Sequence, residues 1–160
     1  MSKKKIIISS SDKKYFFLIK ELHLSLKNHG VLDEYDFAIL DTGLDVKQKN
    51  YFKDYNVLIK SAEWNVEVPK YKILGRENLK TQVARAFLPD YFDNYKVYIW
   101  LDADMWLNDL ESFYFYEKGA MNNKLTIVPQ SDRAYQEFIK KNHIKKWCVF
   151  KSQIKIIKDE

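Results

Sequence analysis

Four short apolar runs constrain this chain more than any other feature. They are KIIIS at residues 5–9, DFAIL at 36–40, NVLI at 56–59 and KVYIWL at 96–101. Each is too short for a buried helix, and an apolar run without polar alternation marks a strand covered on both faces. Segments of helical period lie between them. Over residues 13–29, Phe16, Ile19, Leu22, His23 and Leu26 share one helical face, and Gly30 supplies the stop. Residues 45–52 predict a second, short helix. SAEWNVEVP is irregular up to Pro69, and residues 78–88 predict a third helix carrying Val83, Ala84 and Phe87 on one face, with Pro89 beyond it. Such alternation predicts an α/β fold with right-handed crossovers and a mostly parallel sheet.

Further along, residues 110–118 read as a helix or an aromatic turn, 125–128 as a strand and 133–141 as a helix. Residues 142–160 form a tail of no clear period. No repeat, low-complexity tract or linker divides the 160 residues, a length that suits a single domain. The apolar share of 46% supports a packed core. The net charge of +5 sets 27 basic against 22 acidic residues, with the excess near the ends in SKKK and KKNHIKKW. No nucleic-acid partner is expected from that balance, although KKNHIKKW would suit peripheral contact with an anionic membrane. The single cysteine, Cys148, excludes an internal disulfide. With no signal-peptide core and no apolar stretch approaching the ~20 residues of a membrane span, a cytoplasmic protein is the expectation.

Ligands of parallel α/β sheets bind beyond the carboxyl ends of the strands. Two polar groups fall at such ends: Ser9, Ser10 and Asp12 after the first strand, and Asp102 and Asp104 after the fourth. A D-x-D triplet alone is a weak signal; its place at a strand end strengthens it. Two ionised carboxylates so close repel and call for a counter-charge. Mg²⁺ or Mn²⁺ provides one, completing its shell with water and phosphate oxygens. The alternative is a solvated turn whose aspartates cap a helix starting near Leu110.

The stretches IIISSSDKKY, FAILDTGL, VARAFLPDYF and VYIWLDADMWLNDL, in that order and spacing, resemble glycosyltransferase family 8. The resemblance covers residues 5–130. It implies a GT-A type, Rossmann-like sheet flanked by helices, and an enzyme that binds a UDP-sugar through a divalent metal and passes the sugar to a saccharide, lipid or protein acceptor. By the same resemblance Asp102 and Asp104 are the metal pair, with Asp104 the more direct ligand. Arg85 contacts the donor; Ser9, Ser10, Asp12 and Tyr15 form the base- and ribose-binding loop, with Tyr15 stacking on uracil. Bland readings stand beside these: Tyr15 as core, Arg85 as a surface ion-pair partner, Ser9–Asp12 as a helix cap, Lys80 as a solvated side chain.

The sequence departs from the family pattern downstream. The family's metal-site histidine lies more than a hundred residues past the D-x-D; here only His143 follows, and His23 and His29 read as structural. The chain stops at Glu160, 56 residues past Asp104. It therefore reads as the N-terminal part of a longer transferase, an incomplete domain with no identifiable nucleophile or base. Two rivals are a haloacid dehalogenase-like phosphatase, whose motif would continue differently from Met105-Trp106, and a non-catalytic nucleotide- or carbohydrate-binding domain.

Overall fold

The computed structural model describes residues 5–121, 125–127 and 154–158. Its sheet has the order β3-β2-β1-β4-β6-β5. The strands are β1 (Lys5–Ser11), β2 (Asp36–Asp41), β3 (Leu58–Ser61), β4 (Val97–Leu101), β5 (Thr126–Ile127) and β6 (Ile154–Lys158). β1 pairs in parallel with β2 and β4, and β2 with β3; β6 runs antiparallel to both β4 and β5. The expected mostly parallel α/β sheet is present.

Helices cover both faces. Odd-numbered residues of β1 and β4, among them Ile7, Val97 and Ile99, pack against α1 (Phe16–Asn28), Phe52 of α2 (Val46–Lys53), and Phe113 and Ala120 of α6 (Leu110–Met121). Even-numbered Ile6, Ile8, Tyr98 and Trp100 face Ala84 of α4 (Lys80–Ala84) and Leu88 and Tyr91 of α5 (Leu88–Tyr91). The period of two therefore splits one apolar run between two cores. Ile6, Ile7 and Ile8 are fully buried, and each such side chain contributes about 1.5–3 kcal/mol.

Several boundaries differ from the sequence reading, each for a local reason. β1 continues two residues past Ser9 because its pairing with β2 runs on to Ser11↔Asp41. β3 starts two residues later than expected, because Asn56 adopts a positive φ of 55° in the turn that leaves α2. The single helix expected over 78–88 is broken. A 3-10 turn (Glu77–Leu79) leads into α4, and a separate α5 carries Pro89 in its first turn, where a missing N–H is harmless. A helical turn, α3 (Lys70–Ile73), follows Pro69. The segment 110–118 is helical, and IKIIK from the tail is a sheet strand between β4 and β5. The helix expected at 133–141, His143 and Cys148 lie outside the described residues. Among those described, no helix is long and apolar enough to cross a membrane.

Two buried polar side chains set the loops at the carboxyl edge. The Ser25 hydroxyl on α1 accepts the Leu107 N–H at 2.9 Å and donates to the Leu107 carbonyl at 3.2 Å, which ties down the chain leaving β4. Asp41, at the end of β2, accepts the N–H groups of Gly43 and Leu44 at 2.7 and 2.6 Å and pairs with Lys49. Gly43 takes φ 144°, a conformation that side chains disfavour. Burial pushes the Asp41 carboxyl up, but the Lys49 ammonium and the two N–H groups outweigh it and hold it below the ordinary carboxylate value.

Ser25→Ala should destabilise the fold by about 1–3 kcal/mol, since it orphans the Leu107 N–H; denaturant unfolding measures it. The depressed Asp41 pKa implies stability fully present above the ordinary value of 3.8 and lost as pH falls through the lower folded-state value. Asp41→Asn should lower the melting temperature at pH 7 and flatten its fall as pH drops below the ordinary value of 3.8; an unchanged acid profile would refute the assignment.

Candidate functional site

From β1 the chain steps outward through β2 to β3, and then returns to place β4 on the other side of β1. Strand order thus reverses between β1 and β4, and in open α/β sheets a crevice forms outside the carboxyl ends at that point. The pairing of β1 with β4 ends at Ile8↔Trp100. Ser10 and Ser11 therefore have strand partners on the β2 side only, and a cavity of about 300 Å³ opens beside them.

Four parts of the chain wall this cavity. Ser10, Ser11, Asp12 and Tyr15 come from the end of β1 and the approach to α1. Asn78, Thr81 and Gln82 come from the helical segment before β4, and Ala103 and Asp104 from the chain just after it. Thr42, in the turn held by Asp41, closes the β2 side; its N–H donates to the Ser11 carbonyl at 3.1 Å.

Of the residues singled out in the sequence, Ser10, Asp12, Tyr15 and Asp104 meet at this cavity. Asp12 both holds the turn that leads to α1 and faces the cavity: its Oδ1 accepts the Tyr15 N–H at 2.9 Å. Tyr15 is 43% exposed, which leaves ring surface open to a planar partner. Asp104 is exposed.

Ser9, Asp102 and Arg85 lie outside the lining. Ser9 is fully buried within β1, and its Oγ has no hydrogen-bond partner. Asp102 is half-buried, and its Oδ1 accepts the Trp100 indole N–H at 2.8 Å. The Arg85 guanidinium rests over the Trp100 ring, 5.2 Å from its centroid, and donates to the Gln82 side chain. Burial holds the Arg85 pKa below its ordinary value, against the opposing pull of the Asp102 charge. Arg85 therefore reaches the cavity through Gln82. Lys80, read as solvated, pairs with Glu77 at 2.8 Å. His23 is packed among Phe37, Phe52 and Tyr55, as a structural residue would be.

Sequence reasoning missed Ser11, Thr42, Asn78, Thr81 and Gln82 as lining residues. A signal existed for part of this set: Asn78, Gln82 and Arg85, spaced four and three apart, form a polar stripe on one helical face.

No cluster of three or more His, Cys, Asp or Glu side chains suited to a metal occurs among the described residues. The groups at the cavity that could ligate a metal are nonetheless hard oxygens: the carboxylates of Asp12 and Asp104, the hydroxyls of Ser10, Ser11, Thr42 and Thr81, and the amide oxygens of Asn78 and Gln82. That chemistry fits Mg²⁺ or Mn²⁺, which use one or two carboxylates and draw remaining ligands from phosphate and water. Asp104 would hold such an ion; Asp102, outside the lining, has its Oδ1 engaged by the Trp100 indole.

No family model and no curated protein sequence matches the chain. Solved structures do. The galactosyltransferase LgtC, in complex with donor and acceptor sugar analogs, superposes with a TM-score of 0.65 at 19% identity, over 96% of this chain and 57% of LgtC. The bifunctional glycosyltransferase WbbM gives 0.62 at 16% identity, over 99% of this chain and 32% of WbbM. Core-mannan synthase A from Aspergillus fumigatus, in a Mn/GDP form, gives 0.54 at 10% identity, over 98% of this chain and 60% of the synthase. The chain thus spans little more than half the length of LgtC. Its four parallel strands, their order and the flanking helices are those of the GT-A fold of nucleotide-diphospho-sugar glycosyltransferases.

Proposed function

We propose that this chain is the donor-binding part of a metal-dependent glycosyltransferase of the family 8 type, which takes a UDP-sugar and passes the sugar to a saccharide, lipid or protein acceptor. One observation carries the reading: the crevice at the β1/β4 reversal brings an exposed aromatic ring, a carboxylate from each strand end and four serine and threonine hydroxyls to one cavity. A nucleoside diphosphate needs that combination. The Tyr15 ring offers a face to the uracil, and Ser10 and Asp12 offer polar groups to base and ribose. Asp104 faces the diphosphate end, and Gln82, braced by Arg85, forms the opposite wall. A bound Mn²⁺ or Mg²⁺ supplies Lewis-acid neutralisation of the charge that develops on the departing diphosphate. The guanidinium of Arg85 adds fixed positive charge on the same side.

Support also comes from the neighbours, one of which holds Mn and GDP and another donor and acceptor sugar analogs. No observation favours the phosphatase or the non-catalytic reading.

Calorimetric titration of UDP with and without Mn²⁺ tests the proposal, with GDP as the competing nucleotide. The expected result is Mn²⁺-dependent UDP binding, weakened at least about tenfold in Asp104→Asn, the loss of one charged ligand. Metal-independent binding, or equal affinity in the variant, would remove the role given to Asp104. Preference for GDP would move the donor to a guanine nucleotide.

A further inference from the structure

We propose that Trp100 is a positioning residue of the donor site: its indole N–H fixes Asp102 and its ring carries Arg85, so that these opposite charges stay apart behind the cavity wall. The inference rests on the donor-site reading above and adds a residue to it.

Trp100 is 1% exposed and sits one residue before the end of β4. A buried indole N–H needs an acceptor. It takes Asp102 Oδ1 at 2.8 Å, two residues on. The other side of the contact is the Arg85 guanidinium, 5.2 Å from the ring centroid, at cation–π distance. Arg85 and Asp102 are close enough for the carboxylate to act on the guanidinium's proton affinity. No direct ion pair joins them, because Asp102 is held by the indole and Arg85 lies on the ring and bonds to Gln82.

The arrangement has a chemical consequence. An arginine and a carboxylate with no intermediary close into a forked, charge-assisted pair. Such a pair here would neutralise both groups and take Arg85 away from Gln82, its link to the cavity. The indole prevents it by giving Asp102 a neutral donor on one oxygen only, which leaves Oδ2 as the oxygen that can serve a ligand. Trp100 thus decides how Asp102 contributes, while Asp104, exposed at the cavity, contributes directly.

Trp100→Phe keeps an aromatic ring under Arg85 and removes the N–H. Mn²⁺-dependent UDP affinity is measured by calorimetry in four proteins: unmutated, Trp100→Phe, Asp102→Ala and the double variant. Trp100→Phe should weaken binding about tenfold or more, the effect of one lost hydrogen bond to a charged group, and should add nothing in the Asp102→Ala background. An equal loss in both backgrounds marks a merely structural role and overturns the inference, as does unchanged affinity in Trp100→Phe. A second readout needs neither metal nor substitution of the tryptophan. In ¹⁵N-indole spectra, Asp102→Ala should shift the Trp100 N–H resonance and speed its hydrogen exchange; a resonance left in place overturns the contact itself. Absence of Mn²⁺-dependent UDP binding in the unmutated chain overturns the donor-site reading and the positioning role with it. Failure of the coupling alone, with such binding intact, overturns only the role of Trp100.

Discussion

The pairing of β1 on both sides is the constraint on which the rest of the structure depends. A parallel strand in the middle of a sheet must be apolar on both faces, and IIISSS meets that demand until the serines begin. With β2 bonded along one side of β1 and β4 along the other, the chain has to reverse its direction of travel across the sheet. The crevice is the geometric result. It lies where β4 has already left the sheet and β1 has not, so that Ser10, Ser11 and Asp12 come to line it together with Asp104.

Loops over a crevice hold a shape only if their polar groups find partners. Several loops at this edge have an anchor in a packed element. Asp41 gathers the turn after β2 through two backbone N–H groups and Lys49. Ser25 holds the chain after β4 against α1. The Tyr91 hydroxyl accepts the Glu63 N–H and donates to Asn65 Oδ1, fastening the irregular segment after β3. None of these side chains lines the cavity. They convert a sheet edge into a site whose surface groups stay in register.

The two aspartates of the D-x-D sit in different surroundings. As adjacent carboxylates they had one obvious joint purpose, a shared cation. In the fold Asp104 is exposed at the cavity, while Asp102 is turned back on Trp100, beneath Arg85. The buried indole breaks their symmetry, because its N–H takes the nearest carboxylate as acceptor.

Much of this was legible in the residue order. Apolar runs without alternation gave the parallel strands, the period of Phe16 to Leu26 gave α1, and the carboxyl-end rule put Ser9–Asp12 and Asp102–Asp104 on one edge, of which Ser10, Asp12 and Asp104 line the cavity; Tyr15 came from the family resemblance. These are local or pattern-level properties, governed by steric period and by burial, and a sequence carries them directly. Other outcomes needed the third dimension. Ser9 and Ser10 look alike in sequence, yet the pleat sends one into the core and the other to the cavity. IKIIK had no readable period as a tail, because its strand identity depends on the edge that β4 offers it. Asn78 and Gln82 became site residues only when the return crossover to β4 laid their helix beside β1. Tertiary structure decides such points because it alone brings distant segments together and chooses, for each polar group, which partner lies within hydrogen-bond reach.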